Sequence, residues 1–542
     1  MAQKKILNAF EVLIIVAFAS FPLLLSFPFR VNIFLSWEGA YRLTEGQLPF
    51  RDFGIPLGGM YWVVPAIFFK IFGAQLITLV KAQVFINIVS GLVFRHILIS
   101  LSVTPVVRTA SVLLYTITFS FFNFWPWYNH TAIVYGLIAI AFVLQFIFSE
   151  NKKTKWLWVS LSFLFTFFSF FTKQDAGGLI FLICMFLLLY NSWYEKHWLG
   201  IGVYLSGTAL VTVIAVLFFS QYNFSYWFNY GQAPHNSRVS GADIINELFS
   251  ESQWIKFYFF LILLLAFAQV KNVNAFFSNK KETVFLLLTL GILCVAVIFQ
   301  ITSYTPANSN IFFHSFAFAY ILHYMLKYLQ IKVNRPAVLI GLLGGVILWW
   351  SQLYWNYVQR VLIKPGNEKG IVFSATGENV VGLHNARLGG GKKSTAIIPQ
   401  GEWVSAKQSI LKKIKLPEPT VQGIQRLLAL NEIKTNNDIR VLNMSELTFL
   451  AAVMPYSLER NPELPLWYHL GVGMFNREAS LFERRIQESY YNIVLFEYMP
   501  GLNNFYPFRV RDSLRLYYQQ IDSFPAPRST EPGTIEVYVK KQ

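Results

Sequence analysis

Apolar runs of about 20 residues, the length that crosses a bilayer core, recur along the first two thirds of the chain. They fall near residues 10–29, 76–95, 106–124, 131–149, 156–172, 177–192, 199–219, 254–270, 283–301, 311–327 and 337–356. The pattern predicts about eleven membrane-spanning helices. A further apolar stretch, 56–74, is interrupted by Pro56, Gly58, Gly59, Pro65, Lys70 and Gly73 and reads as a re-entrant or interfacial helix. After Trp355 the pattern changes, and 360–542 holds no run long enough to span. There Arg440–Ser445, Asn492–Tyr498 and Ile535–Lys540 read as short strands. Lys407–Lys415, Val421–Asn431 and Asn476–Tyr490 read as helices. Residues 364–394, rich in Gly and polar side chains, read as a linker or loop. The expected architecture is a polytopic α-helical membrane module, 1–359, with a first outer loop at 30–75, followed by a small α/β domain within 360–542.

Composition sharpens this. Only 13% of the 542 residues are charged and 55% are hydrophobic, against about 25% charged in a soluble domain. Mean hydropathy is +0.45. Cys184 and Cys294 both lie in apolar runs, which argues against a disulfide framework or a cysteine-based zinc site. The net charge is +17, with 45 Lys and Arg against 28 Asp and Glu. Much of the excess sits in connections on one side of the membrane, so it sets orientation and meets anionic lipid rather than implying nucleic acid. With a cytoplasmic N-terminus, the inside connections hold 14 basic residues, including Lys152, Lys153, Lys280 and Lys281, and the outside ones hold 7. That split follows the positive-inside rule and leaves the tail outside the cytoplasm. Ala17-Phe18-Ala19 resembles a signal-peptidase site, but the apolar run continues to Phe29, which predicts an uncleaved first span.

Gly389-Gly390-Gly391-Lys392-Lys393-Ser394 lacks the spacing of a phosphate-binding loop, because Ala386 stands where the first Gly is needed. It reads as a flexible basic loop. Asn129-His130-Thr131 and Asn223-Phe224-Ser225 match glycosylation sequons but adjoin membrane ends. The acids are more informative. Residues 1–359 contain eleven, and Glu38, Glu45 and Asp52 cluster in the first outer loop. A carboxylate just past a membrane helix is costly to desolvate and is a functional candidate by default. The structural alternative is that Glu38 pairs with Arg42, one helical turn on.

The segment Glu38 to Gly73 runs acid, Tyr41, then Gly46-Gln47-Leu48-Pro49-Phe50-Arg51-Asp52-Phe53, then Pro56 and a broken apolar helix ending Phe72-Gly73. This pattern resembles the integral-membrane GT-C glycosyltransferases, in their bacterial dolichyl-phosphate-mannose-mannosyltransferase-like and ArnT-like branch. Family members usually carry Asp in this loop, often as an Asp-Glu pair; here Ser36-Trp37 precede a lone Glu38. The Lys-Pro-Pro signature of ArnT-like members is replaced by Gly54-Ile55-Pro56-Leu57-Gly58, so an amino-sugar substrate is not implied.

The resemblance implies a GT-C-like fold in a bacterial cytoplasmic membrane. It further implies transfer of a single sugar from a polyprenyl-phosphate carrier to an envelope glycan, lipid or protein, with inversion at the anomeric carbon. A carboxylate can serve as general base for the acceptor hydroxyl, and Arg or Lys can meet the leaving phosphate. Glu38 is the candidate base, with Asp52 as the runner-up or a partner of Arg51 or Arg42. Tyr41, Arg42 and Arg51 are candidate substrate contacts. Lys173 and Gln174, a pair that recurs at this place in related enzymes, are candidates for the phosphate; the alternative is a Lys173–Asp175 pair. His235 and Arg238 suit a phosphate and a sugar face, and Trp127 with His130 suits a sugar-stacking platform; both groups also suit an interfacial aromatic belt. Outer-loop acids can bind Mg or Mn, though no tight ligand spacing occurs. Competing functions are a flippase or transporter for lipid-linked glycan, and an oligosaccharide ligase or polymerase.

Overall fold

The computed structural model describes residues 2–29, 33–120, 123–231, 241–246, 248–249, 253–269, 277–303, 311–331, 335–351, 403–435, 438–466, 475–499, 507–527 and 533–541. The 364–394 segment and the Gly389–Ser394 run lie outside them.

The long apolar runs become helices. These are α1 (Ala2–Ser20), α4 (Leu76–Ser100), α5 (Pro105–Tyr115), α6 (Tyr128–Phe148), α7 (Lys152–Phe170), α8 (Gln174–Glu195) and α9 (Leu199–Ser220). After the short α10 (Gly241–Asn246) come α11 (Gln253–Gln269), α12 (Lys280–Ser303), α13 (Phe313–Tyr328) and α14 (Pro336–Trp349). Helices thus stand at all eleven expected spans. Six apolar segments, Lys4–Leu24, Leu76–Ser100, Tyr128–Phe148, Gln174–Glu195, Leu199–Ser220 and Lys280–Thr302, are each long and apolar enough to cross a membrane. The first helix stops at Ser20, short of the expected 29, because Pro22 sits in a 3₁₀ turn, Phe21–Leu24, and Phe27–Pro28 forms a strand, β1. Helix α5 widens into a π-turn over Thr116–Ser120.

Two short helices fill the first long loop, α2 (Ile33–Thr44) and α3 (Val63–Phe72). The latter is the expected broken helix, started by a 3₁₀ turn at Met60–Trp62. It leaves Ile67, Ile71 and Phe72 exposed, as an apolar face at a membrane surface requires. Gly58 is compelled by packing: a Cβ there would lie 1.6 Å from the Phe171 carbonyl oxygen.

The C-terminal region carries β2 (Trp403–Ser405), β3 (Ile414–Pro417), α15 (Glu418–Leu428), α16 (Asn431–Thr435), β4 (Val441–Met444), α17 (Phe475–Gln487), β5 (Ile493–Tyr498), α18 (Phe508–Tyr517), β6 (Tyr518–Pro525) and β7 (Thr534–Lys540). One sheet has the order β4-β5-β7-β6, with β4 parallel to β5 and the other pairs antiparallel. The expected helix at Lys407–Lys415 is overturned. That stretch is a 3₁₀ turn followed by β3, which pairs with β2 and, in parallel, with β1. Pairing with a strand hundreds of residues away decides the conformation, not local propensity. The strand β6 was also not expected from the sequence.

This β1–β3 pairing ties the C-terminal region to the first long loop. The two share one core, in which Phe27, Trp37 and Phe53 lie with Leu411, Ile414 and Phe449. Backbone bonds reinforce the junction: Gly54 N–H donates to the Leu464 carbonyl (2.7 Å), and Leu466 N–H donates to that of Gly54 (2.9 Å).

Elsewhere the membrane half spends its charges on itself. Glu11 of α1, fully buried, accepts from Arg95 of α4 (2.6 Å), Arg108 of α5 (3.0 Å) and Thr109 of α5 (2.8 Å). Glu11→Ala leaves two arginines without their carboxylate and is expected to cost about 3–5 kcal/mol, read as a lower unfolding temperature in detergent. A second contact joins the 224–231 turn to the C-terminal region, where the Tyr226 hydroxyl donates to Glu478. Burial pushes the Glu478 carboxyl up to about 8, against the Tyr226 hydrogen bond, which pulls it down. Its folded value is raised, so this group's stabilisation is whole below its ordinary 4.5 and is lost as pH climbs through about 8. Unfolding temperature should fall over that window, and Glu478→Gln should flatten the fall.

Candidate functional site

The site is built on α2. Glu38 and Arg42 lie four residues apart, acid first, the orientation that favours a pair along a helix. Arg42 is in the last turn, where a cation suits the helix dipole. The helix closes with the bond pattern of a Schellman turn: Gln47 N–H donates to the Arg42 carbonyl (2.9 Å) and Gly46 N–H to that of Leu43 (3.1 Å). Gly46 takes φ +74°, the left-handed conformation this turn requires. The turn folds Gln47 back onto Arg42.

The guanidinium then becomes a hub. Arg42 Nε donates to Glu38 Oε1 at 2.9 Å, and Nη2 lies 2.7 Å from the same oxygen. Nη1 donates to Gln47 Oε1 (2.7 Å) and to the Glu459 carbonyl (3.1 Å). Gln47 Nε2 donates to the Leu458 carbonyl (2.8 Å). Both Arg42 contacts with the carboxylate use Oε1, so Oε2 stands outside the pair.

Glu38 is 8% exposed and lines a cavity. A cavity of about 100 Å³ lies between α2 and the C-terminal region, lined by Glu38, Arg42 and Phe34 on one side and by Asn443, Ser445 and Tyr456 among others on the other. Of the residues singled out in the sequence, Glu38 and Arg42 are brought together here; the other described ones do not line this cavity.

Asp52 sits in the turn after α2. Its Oδ2 accepts from the Leu48 N–H (2.8 Å) and from Arg51 Nε (2.9 Å) and Nη2 (2.6 Å). Burial alone would raise its carboxyl. The bonds from Arg51 and the Leu48 N–H, with the charges of Arg51 and Arg460, hold it below its ordinary 3.8. Arg51 also donates to the Gly46 carbonyl (2.8 Å). Tyr41 stacks on Trp37 with ring centroids 4.6 Å apart.

Lys173 is buried, pairs with Asp175 at 3.0 Å and lies 4.1 Å above the Phe299 ring. Gln174 donates to the Trp227 carbonyl (2.8 Å). This pair stands next to the first long loop, because the Gly58 and Met60 N–H groups donate to Thr172 and Phe171 (3.3 and 3.4 Å). His130 is buried, 3.3 Å from Gln83 and stacked on Phe119 at 4.3 Å. Trp127 is buried beside Tyr128, 4.6 Å between centroids. His235 and Arg238 lie outside the described residues. Among the described residues, no three His, Cys, Asp or Glu side chains gather to hold a metal ion.

Sequence reading missed Gln47, Asn443, Tyr456 and Glu459. Gly46 followed by Gln47, just past an acid–Arg pair, is a signal that could have found the first. The other three lie some 400 residues further on, with nothing in their local pattern pointing to Glu38.

Neither known protein-family models nor curated proteins match this chain. Among solved structures, the chain is similar to the crystal structure of ArnT from Cupriavidus metallidurans bound to undecaprenyl phosphate. Identity is 10%, coverage is 98% of this chain and 97% of that one, and the TM-score is 0.46. It is also similar to the same protein in the apo state, with 11% identity, 99% and 98% coverage and a TM-score of 0.41. At TM-scores below 0.5 the likeness carries no weight for chemistry, and the functional reading rests on the residues.

Proposed function

We propose that the chain is a membrane glycosyltransferase that moves one sugar from a polyprenyl-phosphate carrier to an acceptor on the non-cytoplasmic face of the cytoplasmic membrane. The observation that carries this reading is the placement of Glu38. A carboxylate at the start of the first long loop, anchored through one oxygen, lines a cavity beside the membrane module. The motif running from Glu38 to Gly73 and the basic bias of the opposite connections support the same reading.

In this reading the acceptor hydroxyl attacks the anomeric carbon of the carrier-bound sugar. Glu38 takes the hydroxyl proton, and general-base help of this kind contributes about 10²–10⁴ in rate. The new C–O bond forms as the bond from the anomeric carbon to the phosphate oxygen breaks. The electron pair leaves on the polyprenyl phosphate, and a single displacement inverts the anomeric centre. Arg42 is committed to Glu38, Gln47 and the Glu459 carbonyl, so it orients the base. Lys173 is the candidate for the departing phosphate.

Reconstituted in sealed proteoliposomes with radiolabelled polyprenyl-phosphate sugar, the protein is expected to release label from the carrier to an envelope acceptor. Label crossing the membrane while still on its carrier would instead mark a transporter. Glu38→Gln keeps the size of the side chain and an acceptor for Arg42 but removes its counter-charge, so it should lower turnover at least 100-fold and also lower the unfolding temperature; normal turnover would move the base to Asp52. Lys173→Ala should raise the donor KM and leave the acceptor KM in place. An unchanged donor KM would assign Lys173 to anchoring α8 alone.

A further inference from the structure

The cavity has two walls of different origin. One comes from α2, and the other from the C-terminal region: β4, the turn after it, and the segment around Tyr456. In the sheet order β4-β5-β7-β6, β4 is an edge strand, so it can turn one side to a ligand. Asn443 of β4, and Ser445 and Thr448 in the turn after it, carry neutral hydrogen-bonding groups, as does Tyr456. The Asn443 amide donates once to the Leu447 carbonyl (3.0 Å) and accepts once from the Ser445 hydroxyl (2.6 Å), and a primary amide has a second N–H and a second lone pair for a ligand. Phe34, Tyr456 and Phe482 add aromatic rings. Polar groups set among aromatic rings are the lining expected of a small-molecule site.

Charge narrows the ligand. Among the described residues, three with acidic or basic side chains reach this cavity: Glu38, Arg42 and Glu459. The Arg42 donors are committed as described, and the Glu459 carboxylate accepts from Arg485 and from the Tyr491 hydroxyl. Among the described residues lining the cavity, no cation is left to neutralise an acidic ligand, and burying an unpaired charge is costly. A cationic ligand would pair with Glu38 and occupy the oxygen needed to take a proton. A neutral ligand bearing hydroxyls meets neither penalty. Size sets a limit: at about 100 Å³ the cavity is smaller than the roughly 150 Å³ that holds a benzene ring, so it takes the hydroxyl-bearing edge of one sugar ring rather than a longer glycan.

We infer that the wall formed by the C-terminal region is the acceptor subsite, and that it takes one neutral, hydroxyl-bearing sugar ring through Asn443 and Tyr456. The C-terminal region is then half of the reaction centre, not an appendage. This inference rests on the transfer reading above, and it adds the chemical class of the acceptor and the residues that select it.

Two measurements on the full chain in nanodiscs test it. In the first, saturation-transfer NMR compares a neutral methyl hexoside, a uronic acid and an amino sugar as probes. The neutral sugar is expected to bind and to lose at least fivefold in affinity in Asn443→Ala and in Tyr456→Phe, with unfolding temperatures retained. Equal or stronger binding of a charged sugar, or unchanged affinity in both variants, would overturn the inference. In the second, the same variants are assayed for transfer. Acceptor KM is expected to rise 5- to 20-fold while donor KM moves less than twofold; a rise confined to donor KM would place these residues on the donor side and overturn it. Absence of any transfer together with neutral-sugar binding at Asn443 and Tyr456 would remove the transfer reading while leaving the saccharide subsite in place.

Discussion

Everything at this site depends on the Arg42 guanidinium. It is buried, and a buried charge is tolerated only when paired and hydrogen-bonded. Glu38 supplies the charge, Gln47 and the Glu459 carbonyl supply the remaining acceptors, and the Schellman turn at Gly46 brings Gln47 into reach. The partners come from three segments of chain, so the position of the carboxylate is set by the docking of the C-terminal region as much as by α2. The planar fork of Arg suits this task; a lysine would offer a point charge without the directional donors.

The other ionised groups of the membrane half make a contrast. Glu11 is enclosed by Arg95, Arg108 and Thr109, and the Lys173 ammonium is shared with Asp175 and the Phe299 ring. Glu11 thereby ties α1 to α4 and α5, and Lys173 is held at the start of α8. Glu38 has the same kind of partner, but the pair uses only its Oε1, and the residue lines a cavity. A structural ion pair and a poised carboxylate are thus not alternatives here, since the first holds the second in place. The aromatic first long loop performs a similar double duty. Trp37 donates to the Ala74 carbonyl (2.8 Å) and Trp62 to that of Leu35 (2.9 Å), which locks α2 against the chain around α3 while burying both rings.

The helices were legible because each needs only its own apolar run; a backbone in lipid must satisfy its hydrogen bonds within the segment. The broken helix at 56–74 was legible for the same reason, through its Pro and Gly interruptions. The Glu38–Arg42 pair was legible because residues four apart on a helix must be neighbours. Lys407–Lys415 misled because its charges suit a helix surface, whereas the stretch ends in a strand laid between β1 and β2. Lys173 was read as a phosphate candidate from its place at a helix end, and only the fold shows how its ammonium is already engaged.

By itself the chain determined what local physics can dictate: which segments enter the membrane, which do not, and where an acid follows a span with an arginine one turn on. Tertiary structure decided what that acid faces. The cavity exists because β4 and Tyr456 arrive opposite α2 from some 400 residues away, and no periodicity or spacing encodes contacts at that separation. They arise only when the two apolar surfaces merge into one core, which is a property of the whole fold and not of any window along it.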